Sequence, residues 1–204
     1  MAAWHSLDRQ HLRTALAVPA PRHVARGTRR AAVALVLHER SGGVQLLLIR
    51  RAHRVGDPWS GQMALPGGHW QTEDPDLHHT ALRETAEEIG LDLRRHAELL
   101  GQLDELTPAN AVDVVVRPFV FALNATPVFT QSSEVDAVVW VDLADLVSGQ
   151  LLTRHEVAVR DQRVRFPAWQ LGEHVVWGLT YRVLTTLLLR AGTPTQALEA
   201  ELGP

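Results

Sequence analysis

The chain has no cysteine and no lysine among its 204 residues, so every strongly basic side chain is an arginine. Without cysteine there can be no disulfide framework, no thiolate metal site and no cysteine nucleophile. A reducing compartment, the cytoplasm, is the expectation. Positive charge is not in excess either: the formal net charge is -3. A general nucleic-acid binder would show a basic surplus, so nucleic acid is not an expected partner. Long apolar runs are missing as well. The stretches Ala31–Leu37 and Leu187–Leu189 fall far short of the ~20 residues a membrane span needs, and no membrane association is expected. Met1 to Ala17 carries Asp8, Arg9, Gln10 and Arg13, which breaks up the apolar core a signal peptide requires. There is no internal repeat and no low-complexity tract.

What is present reads as one α/β domain with an elaboration, a length that buries roughly 70% of the unfolded chain's surface without a staple. Residues 1–28 read as an N-terminal helix over Leu7–Ala17 and a linker, Val18–Thr28, holding Pro19, Pro21 and Gly27. Residues 29–192 form the main domain, and 193–204 a loosely ordered tail. A hairpin is expected from Ala31–His38 and Val44–Arg50 around Ser41-Gly42-Gly43. A long loop, Arg51–Leu65, leads to Pro66-Gly67-Gly68. Asp76 is placed to cap a helix over Leu77–Ile89 that Gly90 closes. Strands at Glu98–Asp104, Asp113–Leu123 and Val135–Val141 follow, then a short helix at Leu143–Val147. Val157–Arg160 and Val164–Phe166 form a second hairpin, and a helix covers His174–Arg190. Such a mixture implies a mixed sheet sandwiched between helices.

The segment Leu82-Arg83-Glu84-Thr85-Ala86-Glu87-Glu88-Ile89-Gly90-Leu91 carries the chemistry. At helical spacing Glu84, Glu87 and Glu88 share a face, with Leu82, Thr85, Ala86 and Ile89 turned to a core. Three like charges so placed disfavour an isolated helix. Either they form a solvated acidic face, with Arg83 paired to Glu87, or a hard divalent cation with oxygen ligands compensates them. Upstream, the glycines of Leu65-Pro66-Gly67-Gly68 allow a backbone to approach a ligand closely.

Together these pieces resemble the Nudix box, G-x5-E-x7-R-E-U-x-E-E-x-G-U with U aliphatic. Gly68 takes the opening glycine, Asp74 the first acid, Arg83-Glu84 and Glu87-Glu88 the paired positions, and Gly90-Leu91 the end. The chain departs from the pattern in three places: Asp stands at 74, eight residues separate Asp74 from Arg83, and Thr85 replaces an aliphatic residue. The resemblance implies a Nudix-type α/β/α fold and hydrolysis of the pyrophosphate bond of a nucleoside diphosphate derivative with Mg²⁺ or Mn²⁺. It implies metal ligation by Glu84, Glu87 and Glu88, with the Gly67 carbonyl as a further ligand. Arg83 would orient a helix glutamate. Glu134, just before a strand, is the candidate catalytic base or extra ligand, with Asp104 and Glu105 behind it.

The segment from Leu47 through Arg50-Arg51-Ala52 and Ser60-Gly61-Gln62 to Gly68, and the later Val176-Trp177-Gly178-Leu179-Thr180, resemble the coenzyme A pyrophosphatase branch. Coenzyme A or acyl-coenzyme A, cut to 3′,5′-ADP and a phosphopantetheine, is the implied substrate. ADP-ribose, a dinucleotide or another nucleoside diphosphate derivative is the alternative, and a non-catalytic binding module a third reading. Arg50, Arg51 and Arg54 are the candidate phosphate grips, since arginine offers a bidentate fork, and Gly68 a close backbone approach. Trp59 either stacks on an adenine or packs in the core. Trp177 and Tyr181, four apart on the expected helix, read as core or homodimer contacts. His53, His69, His78 and His79 show no spacing that demands a metal, and adjacent His78 and His79 are expected at the surface.

Overall fold

A computed structural model describes residues 9–17, 21–23, 29–41, 43–56, 59–159 and 162–192. Most of the expected linker, the residues before Arg9 and the tail after Gly192 lie outside these. The elements in order are α1 (Arg9–Ala17), β1 (Arg29–Arg40), β2 (Gly43–Arg51), β3 (Met63–Ala64), β4 (Gly67–His69), α2 (Leu77–Ile89), α3 (Leu93–His96), β5 (Ala97–Gln102), β6 (Val114–Leu123), β7 (Val135–Asp142), α4 (Leu143–Val147), β8 (Leu152–Val159), β9 (Gln162–Leu171), β10 (His174–Trp177) and α5 (Gly178–Arg190).

β1 organises the molecule because both its faces are apolar, the mark of a strand buried on two sides. Ala32, Ala34 and Val36 pack with Leu77, Ala81, Leu82 and Ile89 of α2. Leu35 and Leu37 pack the other way, with Leu12 and Leu16 of α1, Leu146 of α4 and Leu184 of α5. β1 runs parallel to β6 and antiparallel to β2 at one end and β4 at the other. β2 also pairs with β7, and β6 with β5. The result is a mixed seven-stranded sheet covered by helices on both faces.

Two differences from the sequence reading follow from β-branched residues and backbone pairing. The second hairpin is longer than expected, and β8, β9 and β10 form a separate three-stranded sheet. The final helix begins at Gly178, not His174, because His174–Trp177 pairs with Ala168–Leu171. Trp177 therefore lies on a strand, its ring 4.9 Å from that of His155 and 5.8 Å from that of Phe166. Tyr181 is a core residue, its ring centroid 4.3 Å from the Trp169 ring. Trp169 in turn donates its indole N–H to the Leu146 carbonyl at 3.0 Å.

Candidate functional site

α2 starts where the Asp76 carboxylate accepts the His79 amide at 2.9 Å and stops at Gly90, whose left-handed φ of 69° favours glycine. Its buried face is Thr80, Ala81, Leu82, Thr85, Glu88 and Ile89. At about 100° per residue the three glutamates fan out instead of sharing one stripe. Glu88 is buried, Glu84 half-buried and Glu87 exposed. Ala86, expected in the core, is exposed for the same reason. His78, expected at the surface, is half-buried: its ring stacks on Phe121 at 5.7 Å, and burial lowers its pKa. Asp76, His78 and His79 bring their ligand atoms within 4.8 Å of one another. That trio already has a structural task, since Asp76 caps the helix and bonds the His79 ring at 2.8 Å.

Glu88 and Glu84 meet the Gly67–Gly68 turn. The Gly67 N–H donates to Glu88 Oε2 at 2.9 Å. A Cβ on Gly68 would lie 2.4 Å from the Glu84 carboxyl, and one on Gly67 would lie 2.2 Å from the Ala32 carbonyl oxygen. Glycine is what lets β4 pair with β1 beneath the helix. Burial pushes the Glu88 carboxyl up to about 8; the Gly67 N–H and Arg51 oppose this, while the charges of Glu84 and Glu134 add to it. Burial likewise raises Glu84, against the pull of Arg83. Two carboxylates held side by side in a poorly solvated place fit a bound divalent cation, which would favour their ionised forms.

Arg83 is fully engaged. Its guanidinium donates to both oxygens of Asp74 at 2.9 Å, to Glu84 and Glu87 at 2.9 Å each, and to the His69 carbonyl at 3.0 Å. Asp74 is buried and also accepts from Thr80 Oγ1 at 2.9 Å and the Gln71 amide at 3.1 Å. The Arg83 contact, above all, brings the Asp74 carboxyl down to about 2. Asp74 thus faces an arginine, and the pair splints the loop to the helix. The sequence signal for this was the paired acid and arginine of the box. What it lacked was the loop path that brings them together across an extra residue.

The remaining candidates sort by the strand pairing. β2 runs beside β7, with Arg50 opposite Ala137 and Arg51 opposite Val135. This sets Arg50 against Asp136 at 2.6 Å and Arg54 against Glu134 at 3.1 Å. Glu134 is brought in because the Ser132 amide donates to the Glu88 carbonyl at 2.9 Å and the Ala52 amide to the Glu134 carbonyl at 2.8 Å. Arg51 and Glu134 are both close enough to act on Glu88 electrostatically. Trp59, for which core packing was one reading, is 39% exposed. Asp104 and Glu105 are committed elsewhere, Asp104 to Arg22 and Arg190 and Glu105 to Arg117 and Arg30. A cleft of about 560 Å³ lies along the outer side of α2, bordered by Asp74, His79, Arg83, Glu87 and Arg94. It misses Glu84 and Glu88, so the convergent carboxylates mark the site better than the cleft does.

Comparison with known proteins bears on the family and the fold. A protein-family model described as "NUDIX domain" matches residues 28–162. An uncharacterized protein of Schizosaccharomyces pombe is 42% identical over 118 residues, 55% of this chain and 36% of that protein, so the chain spans about a third of its length. A mitochondrial coenzyme A diphosphatase of Homo sapiens is 34% identical over 166 residues, covering 80% of this chain and 70% of the relative. Among solved structures, a MutT/nudix family protein from Enterococcus faecalis superimposes with a TM-score of 0.53 at 19% identity, over 85% of this chain and 64% of that one. This last likeness concerns the fold.

Proposed function

The chain belongs to the Nudix family of pyrophosphohydrolases, and on that premise we propose that it cleaves the diphosphate of coenzyme A or an acyl-coenzyme A. The observation that carries the reading is the convergence of Glu84 and Glu88 on the Gly67–Gly68 turn, two carboxylates whose burial leaves them in want of a cation. Glu84, Glu88 and the more exposed Glu87 would hold Mg²⁺ or Mn²⁺, with the Gly67 carbonyl at hand. Such an ion supplies Lewis-acid polarisation of the diphosphate and a lowered pKa for attacking water.

The protein's own residues do the positioning. Arg83, anchored on Asp74, fixes Glu84 and Glu87 from one side. Glu134, tethered through Ser132 to the end of α2, takes the role of proton acceptor for the attacking water, with the Arg54 guanidinium 3.1 Å away. Arg51, close enough to Glu88 to act on it electrostatically, would face the negative diphosphate. The coenzyme A assignment draws on the human relative and on the resemblance of the segment before the box. A second reading, ADP-ribose or a dinucleotide, is favoured by one observation: Arg50 and Arg54 are already paired with Asp136 and Glu134. A substrate with no further phosphate would not miss them.

The test is a panel of coenzyme A, acetyl-coenzyme A, ADP-ribose, NADH and dNTPs with Mg²⁺ and with Mn²⁺, run on wild type and Glu84→Gln. Coenzyme A should give the highest kcat/KM, and the variant should lose at least about 10²-fold in kcat, because an amide holds a hard dication poorly. Wild-type turnover by Glu84→Gln would overturn the metal assignment. A panel led by ADP-ribose would overturn the substrate.

A further inference from the structure

Arginines also gather at the start of β1 and on β6. Glu105, whose side chain is fully enclosed, lies against Arg117 and Arg30, with Arg117 Nε at 2.9 Å and Arg30 Nη2 at 3.2 Å from the same oxygen. His23 stands 3.5 Å from that oxygen and 3.1 Å from Arg117 Nη2. Beside them Asp104 faces both Arg22 and Arg190. At Glu105 itself two arginines share one carboxylate, a local surplus of one positive charge in a chain whose formal net charge is -3. Within the described residues Arg30 engages Glu105 through Nη2 alone, and its side chain is half exposed. A guanidinium carries five donor hydrogens, so most of the Arg30 fork remains open to a ligand.

Strand register fixes where this cluster faces. Ala32 is the partner of Gly68 on one side and of Arg117 on the other. Directly opposed residues in neighbouring strands project to the same face. The Cβ direction of Gly68 points at the Glu84 carboxyl, so Arg117 rises from the face that carries α2. Arg30, two residues before Ala32, has the same parity and the same face. Gly68 and Arg117 are two strand spacings apart, about 10 Å. Trp70, 43% exposed, stands next to Arg30, its amide donating to the Arg30 carbonyl at 2.9 Å.

We infer that Arg30 and Arg117, with His23, form a phosphate-monoester subsite that receives a second anionic group on the nucleoside end of the substrate, while its diphosphate lies at Glu84 and Glu88. The separation suits a ribose carrying a 5′-diphosphate and a further phosphate on its ring. The inference rests on the proposed function for the position of the diphosphate, and it gives the extra phosphate a grip that Arg50 and Arg54 do not supply.

The test separates the two. Metal-free wild-type protein is titrated calorimetrically with adenosine 3′,5′-bisphosphate and with AMP, so that no turnover is needed. The bisphosphate should bind at least about tenfold more tightly, the scale of one charge-assisted fork, and the advantage should shrink with salt. Arg30→Gln leaves Arg117 on Glu105 and should bring the ratio close to one; Arg117→Lys, checked for folding by its melting curve, should lower it as well. In turnover, the kcat/KM ratio of coenzyme A to 3′-dephospho-coenzyme A should fall by the same factor. Equal binding of the two nucleotides by wild type would overturn the subsite, as would an unchanged ratio in Arg30→Gln. If none of the diphosphates in the panel is cleaved but the binding ratio holds, the proposed function fails and the subsite stands.

Discussion

Replacing Glu88 by glutamine isolates what the buried carboxylate does to the fold. Glu88 is 4% exposed, and burial moves its carboxyl from the ordinary value of 4.5 to about 8. Because the folded pKa is raised, the stabilisation is complete below about pH 4.5, where both states are protonated, and is lost as pH rises towards 8. At about 1.36 kcal/mol per unit, the ionised form costs the metal-free fold on the order of 3–5 kcal/mol above pH 8. Glutamine keeps an oxygen to accept the Gly67 N–H but carries no charge. Urea unfolding of the metal-free proteins from pH 5 to about pH 9.5 should show wild type falling behind Glu88→Gln across that window. The gap at the top should reach a few kcal/mol, or very roughly 5–15 °C in Tm for a domain of this size. Mn²⁺ added at pH 8 should close it for wild type only. Parallel pH profiles for the two proteins would refute the reasoning, and so would a gap that opens at low pH.

Substitutions at four other residues test the same contacts. Arg83→Ala leaves buried Asp74 without its cation and should destabilise the protein by about 3–5 kcal/mol in urea melts; Arg83→Lys should recover only part of this, because one ammonium cannot reproduce the fork. Gly67→Ala drives a Cβ to 2.2 Å from the Ala32 carbonyl oxygen and should either prevent folding or lower Tm by more than 10 °C, on the order of what a few kcal/mol yields, read by circular dichroism. Glu134→Gln should lower kcat by about 10²-fold or more with KM little changed, whereas Arg51→Ala should raise KM for every diphosphate substrate alike.

Features that depend on neighbours along the chain were legible from residue order. The span of α2, its Asp76 cap and Gly90 stop, the β1–β2 hairpin and the grouping of arginine with glutamates are all local, set by spacing and by residue types that tolerate only certain backbones. The box could therefore be read without a fold. Contacts between distant segments could not. Val175 and Val176 lean towards a strand, but only β9, arriving as a partner, makes β10 of a segment that continues the pattern of the last helix. Spacing alone put three glutamates on one face, but only packing against β1 and β4 decided that Glu88 is buried and Glu87 is not. Arg50 and Arg54 looked open because their partners, Asp136 and Glu134, sit eighty or more residues on and meet them only through the β2–β7 register. Arg30 and Arg117 became a pair in the same manner, through a parallel crossover that joins strands far apart in the chain. Charge is legible in a sequence; which charge it faces is a property of the sheet.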